Sequence, residues 1–357
     1  MKRFIIYLFL FCFIISCNSQ TNIPENIKFT KINEDSIPCK ILDVEKINLP
    51  EEFVASRYYV VKDTILLVLH DQYPDPYYLS VVNLNNFEII NQLFQRGNGP
   101  NDLLGVLSYI NDDYLCLNDY VKRTVARIHV DSLLVKDFTY PSFIKIDAFY
   151  EGFGWINDSL IVASNCLHFD GFGNEKYPEL LYVDTTGAFI EDYPKDGFDI
   201  FTANFSGGYI AMNSLQNKFY HAKKFKPEIC FYVDNKLEKV IIGPEEYNSE
   251  FIVDKNNQLH FKDNFHYYYF NYCSSKNNVF FKNERFHGKV GTHFSDDEGK
   301  GTEIFRLDWN GNLLARYKIP TDKAVIGLSY NENTNSLYLT SFDENGERIL
   351  YKAILND

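Results

Sequence analysis

The chain has 357 residues, with 35 basic against 48 acidic side chains and a formal charge of −13, and no basic stripe offsets that balance. Binding to nucleic acid draws on counterion release by Lys and Arg, and a surface of this sign sets nucleic acid aside as a partner. Aromatic residues make up 17% of the chain, 31 of them Phe and 26 Tyr, a composition suited to half-buried strands as well as to sugar-stacking platforms.

The chain opens on Met1-Lys2-Arg3, and the segment from Phe4 to Ile15 that follows is entirely apolar. That is a charged start and an apolar run of leader-peptide length, too short for the roughly 20 residues a spanning helix needs. Ile14-Ile15-Ser16-Cys17 resembles the bacterial lipobox, and the resemblance implies acylation of Cys17 as the mature N-terminus. Residues 1–16 then read as a signal peptide, 17–37 as a lipidated cysteine and polar tether, and 38–357 as one domain. Beyond Cys12 and Cys17 there remain Cys39, Cys116, Cys166, Cys230 and Cys273, an odd and widely spaced set that favours buried thiols, with a Cys116–Cys166 bridge as the alternative.

From residue 60 onward two signatures alternate. A small polar turn precedes a short apolar strand at Lys62-Asp63-Thr64, Asn111-Asp112-Asp113, Asn157-Asp158-Ser159, Ser206-Gly207-Gly208, Lys276-Asn277-Asn278 and Thr334-Asn335-Ser336. After each comes a strand ending in Asp or Asn: Asn83, Asp131, Asp184, Asp234, Asp308 and Asn356. Two hairpins per unit predict all-β blades of four antiparallel strands, hence a six-bladed β-propeller. The last unit lacks its fourth strand, and a spare one near Cys39–Val44 is expected to close the ring from the N-terminus.

In an antiparallel meander a-b-c-d, the a–b and c–d turns share one end, while b–c loops and d-to-a crossings share the other. The second anchors are spaced 48, 53, 50, 74 and 48 residues apart, which places insertions at about 241–264 and 282–303. Both belong to the second class, as do the segments carrying Tyr73, Asp75, Arg96, Asn98, Asp102, His168 and His293, which form the candidate ligand-binding face.

The lipobox, the blade pattern over about 38–357 and the segment Arg96-Gly97-Asn98-Gly99-Pro100-Asn101-Asp102-Leu103 together resemble the six-bladed, TolB-like propeller lipoproteins of Bacteroidota. The family segment runs R-G-x-G-P-G-E-F, and here Asn101, Asp102 and Leu103 replace its last three residues. The resemblance implies a lipid-anchored envelope protein, on the outer membrane facing the periplasm, and carries over no catalytic residue.

No HExxH, GxSxG or phosphate-binding loop occurs, and Ser142-Phe143-Ile144-Lys145 matches SxxK only in a β context. His287, His293, Asp296, Asp297 and Glu298 read as a solvated acidic loop rather than a metal site, so neither metal nor cofactor is implied. The leading expectation is a non-catalytic binding or scaffolding module for a protein, peptide or glycan. The alternative is a propeller hydrolase, lactonase or lyase with a metal in the central channel.

Overall fold

The computed structural model describes residues 27–33, 37–53, 57–70, 75–146, 150–165, 180–186, 189–193, 207–243, 251–253, 259–261, 264–289, 302–319, 325–343 and 345–356. The described chain is all-β and arranged as a propeller, its inner strands gathered at the axis and successive strands of each meander lying farther out. Among the described residues, three sheets have four strands: residues 57–95, residues 150–193, and residues 327–354 completed by 45–47. Residues 208–242 with 28–31 make a five-stranded sheet. Hydrogen bonding therefore gives four separate blades rather than the six expected. The strands of 106–145 and of 264–318 with 39–41 instead belong to one nine-stranded sheet, joined by the single pair Ser274–Asn111.

That join explains the missing separation. Asn111 ends one inner strand, and its Oδ1 accepts from Met212 N (3.0 Å) and from Ser274 Oγ (2.7 Å). Ser274 Oγ in turn accepts from Asp112 N at 3.1 Å. Three inner strands thus meet across the axis, where Tyr109 and Tyr272 pack with ring centroids 5.5 Å apart and Phe153 lies 5.1 Å from Tyr109. These rings are buried together in one core cluster along this stretch.

Neighbouring meanders are cemented the same way. Ser329 Oγ accepts from Val60 N at 2.8 Å, and Tyr59 OH donates to Ser108 O at 2.6 Å. Close approach also requires glycine: a Cβ on Gly152 would lie 2.5 Å from Gly208 O, and one on Gly208 would lie 2.0 Å from Ala222 O. Gly208 therefore opens the inner strand Gly208–Asn213 rather than ending a turn, and the a–b turn expected at 206–208 lies instead at Ser214–Gln216 with left-handed Asn217. Sequence reading mistook a packing glycine for a turn glycine.

The strand-ending Asx residues have a clear task. Asn83, Asp184 and Asp308 each accept the amide two residues on, at 2.9, 2.8 and 2.8 Å. This closes a turn behind a strand pair whose register slips just before it, at Val81/Val82, Tyr182/Val183 and Arg306/Leu307. Burial raises the carboxyl of Asp308, but amide and side-chain donors from Asn312 and Asn310 outweigh it and hold the group below the usual carboxylate range.

The N-terminal segment closes the ring, though not as expected. Glu45–Ile47 supplies the outer strand for Arg348–Ile354, whereas Cys39–Ile41 lies parallel along Leu313–Lys318. Lys28–Lys31, within the stretch read as tether, lies parallel along Lys236–Ile242. One strap thus runs over three successive outer edges, pegged by buried Ile32 and Leu42. Cys116 is an unbridged thiol whose burial pushes its pKa up to about 12; Cys166 lies outside the described residues.

Two predictions follow from the strap and the a–b turns. A chain starting at residue 49 should lose about 3–6 kcal/mol relative to one starting at residue 18, since Ile32 and Leu42 leave the core and the Arg348–Ile354 edge opens. A chain starting at 34 should lose less; urea melts that rank the two truncations equally would refute the lacing. Asp112 sits at φ 55, its pKa raised from 3.8 to about 6 by burial first, then by the charges of Asp113 and Glu332. Its ionisation therefore opposes folding, and stability falls as pH climbs through that range. Asp112→Asn, which keeps the left-handed turn, should melt about 1–3 °C higher at pH 8 and lose that advantage by about pH 4.

Candidate functional site

At the end of the molecule carrying the b–c loops and d-to-a crossings, the corner between residues 57–95 and 106–145 gathers four of the expected residues: Asp75, Arg96, Asn98 and Asp102. Tyr73, His168 and His293 lie outside the described residues, as does Cys17.

The corner is built from a hydrogen-bond relay. His70 ends the strand Ile65–Leu69 and is buried; its Nε2 lies 2.8 Å from Ser80 Oγ and its Nδ1 2.7 Å from Asp75 Oδ2. The order Ser, His, Asp has the connectivity of a hydrolytic triad. Ser80, however, faces the packed interior of the strand Tyr77–Asn83 and is only 1% exposed, so no acyl donor can reach its oxygen. The relay satisfies three polar groups and ties the b–c loop to its own blade.

Arg96 completes that tie. Its Nε donates to Asp75 O at 3.0 Å, its Nη2 donates to His70 O, and its guanidinium lies 4.7 Å over the Tyr78 ring. The guanidinium thus clamps two backbone carbonyls, one from each foot of the loop. Replacing Arg96 therefore threatens the fold first.

The following turn explains its glycines. Asp102 Oδ2 accepts from Gly99 N at 2.9 Å, and Cβ atoms on Gly97 and Gly99 would lie 2.7 and 2.6 Å from that same oxygen. Lys122 Nζ donates to Gly99 O at 2.7 Å and to Asp102 O at 2.6 Å. Asp75 and Asp102 thus spend their carboxylates on the loops, and Asn98 is left exposed at the tip.

Sequence reading missed the residue that organises the rest, Asp119. It is fully buried, and its Oδ2 accepts from Leu104 N at 2.9 Å. Its Oδ1 accepts from Gly105, Val121 and Lys122 amides at 3.4, 3.1 and 3.0 Å. The carboxylate fixes two loops against each other and presents Leu104, Tyr120 and Val121 outward at 38%, 46% and 54% exposure. The only sequence signal was an Asp ending an apolar strand, shared with every Asx turn in the chain.

Elsewhere at the same end, the inner hairpin Asn264–Ser274 and Asn278–Lys289 has arms of 11 and 12 residues, against five to seven in most strands. Its turn is at the a–b end, so the surplus extends toward the loop-bearing end by about 15 Å. A small hairpin, Phe251–Val253 with Leu259–Phe261, occupies the preceding crossing. The small hairpin lies within the first insertion placed by spacing; the long hairpin reaches the second only at the end of its outer arm, and residues 290–301 lie outside the described residues.

No family model and no curated protein matches the chain. Among solved structures it is similar to a protein of Bacteroides fragilis titled as exported, with a TM-score of 0.55, 13% identity and coverage of 93% of this chain and 100% of that one. It also matches a member of the DUF4221 family from Bacteroides vulgatus at TM-score 0.48 and 13% identity, over 88% of this chain and 98% of the other. At these identities the likeness is one of fold.

The corner makes a prediction. Asp119→Ala should cost about 2–4 kcal/mol in urea denaturation by leaving buried amides without an acceptor. Asp113→Ala, on an exposed turn, should cost under about 0.5 kcal/mol. Equal costs would remove Asp119 from its organising role.

Proposed function

We propose that the chain is an envelope lipoprotein, anchored through Cys17 to the outer membrane facing the periplasm, whose propeller is a non-catalytic binding or scaffolding module for a protein, peptide or glycan. Its repeat unit supports a six-bladed, TolB-like ring. The nine-stranded sheet then counts as two blades, because each half has four meander strands and a single residue pair joins them.

The observation that carries the binding reading is the asymmetry between the two ends of the propeller. At the a–b end, turns such as Lys62-Asp63 and Asp112 are tight and left-handed, with little area to grip. The opposite end bears the extended hairpin, the inserted hairpin and a rigid corner with an exposed apolar ridge. Loops held by a rigid scaffold are where recognition concentrates, and groups fixed before binding lose little entropy on contact. Asn98, Leu104, Tyr120 and Val121 face outward at this corner; Asp75, Arg96 and Asp102 fix its loops, and Asp119 presents the apolar three.

Two measurements test the reading. Cys17→Ser should move the protein from the membrane fraction to the soluble one without lowering its melting temperature, and retention after a high-salt wash would refute the anchor. On peptide and glycan arrays, Tyr120→Ser should weaken any ligand of the native chain about tenfold or more. Leu215→Ser, on the opposite end and 85% exposed, should not. The reverse pattern would refute the assignment of the face.

A further inference from the structure

The strap that closes the ring also places unusual chemistry at the outer rim. Lys28–Lys31 reads Lys-Phe-Thr-Lys, and all four residues are exposed, Phe29 at 57%. In the parallel register Lys28 stands beside Lys239, so two lysines occupy neighbouring positions on adjacent strands, Lys239 with its Nζ donating to Gly311 O. Like charges placed this way are destabilising. Lys239 shows the crowding: burial, with Lys28 adding to it, depresses its pKa against the pull of Asp308.

The island stands out against a chain of charge −13. On the outer strand and the turn before it Lys236 and Lys239 stand with Asp234 and Glu238, and the strap adds Lys28 and Lys31 with no carboxylate of its own. Asp234 and Glu238 are the carboxylates of the adjoining strand and turn, and Lys236 is exposed between them. At physiological ionic strength charges more than about 8 Å apart are largely screened, so a docking surface responds to this island more than to the whole molecule. An exposed aromatic flanked by lysines suits the boundary between headgroups and acyl chains.

Position gives the island its partner. Ten chain steps, with nine residues between, lead from Cys17 to Ile27, where the described chain begins. That length spans at most about 35 Å when extended and about 17 Å on average when flexible.

We propose that the rim formed by Lys28, Phe29 and Lys236 docks on an anionic phospholipid surface, setting the propeller edge-on to the membrane with its loop-bearing end open to the side. The location of this contact rests on the Cys17 anchor, but its measurement does not.

The test uses the mature chain produced without its acyl group, residues 18–357, sedimented with vesicles of phosphatidylcholine alone or mixed with phosphatidylglycerol. Binding should appear only with phosphatidylglycerol and fade as salt rises. Lys28→Glu with Lys236→Glu should lower the partition about tenfold, and Phe29→Ser should lower it severalfold, with melting temperatures showing that each variant is folded. The milder Lys28→Gln with Lys236→Gln should give an intermediate loss. No sedimentation, equal sedimentation with both vesicles, or binding indifferent to charge reversal would overturn the proposal and leave the lysines as guards of an exposed strand edge. Because no acyl group is present, a failure here is distinct from retention of Cys17→Ser in the membrane fraction.

Discussion

A ring of radial sheets has one seam, and the outer strand missing from that seam governs the rest of the architecture. Residues 327–354 provide three strands and leave the edge of Arg348–Ile354 open, with a row of backbone groups that would pair with any strand at hand. Glu45–Ile47 fills that edge from the other end of the chain. Reaching it takes the N-terminal segment around the rim, and on the way it pairs with two further outer edges. Arg316 secures the path: its guanidinium is paired with Glu303 at 3.0 Å and donates to Ile37 O at 3.3 Å. The ion pair is buried, so its geometry matters more for fixing the strap than for net stability.

At the axis the opposite problem arises, because inner strands crowd rather than gape. Glycine relieves backbone crowding at Gly152 and Gly208, while Asn111, Ser274 and Ser329 give the ends and edges of these strands acceptors that a neighbouring sheet cannot supply. The aromatic side chains between them are close-packed.

How much of this could be read from the sequence depends on whether a residue's task is local. Turn and anchor residues announce themselves, since an Asx acceptor acts on an amide two positions away. The strand-turn repeat and the insertions were therefore legible. Gly208 was misread because the carbonyl that excludes its side chain belongs to residue 222. Closure from the N-terminus was expected, but the strap's pairings were not, for a related reason: Lys28–Lys31 and Cys39–Ile41 are short, largely exposed edge strands whose pairing is chosen by where the chain must travel, not by alternation. Nothing in the glycine-rich setting of Arg96 shows that its donors turn inward to the carbonyls of His70 and Asp75.

The same constraint connects the two ends of the functional reading. Because the seam is closed from the N-terminus, the segment nearest Cys17 is fastened to the rim and not to either end of the propeller. A tether entering there leaves both the loop-bearing end and the tight-turn end unobstructed, whereas a tether entering at the loops would crowd the surface with the greatest area for recognition. Rigid loops at one end, as Asp119 secures with four backbone amides, then remain accessible under the proposed anchoring. The topology that repairs one open strand edge thereby separates the proposed attachment surface from the proposed binding surface.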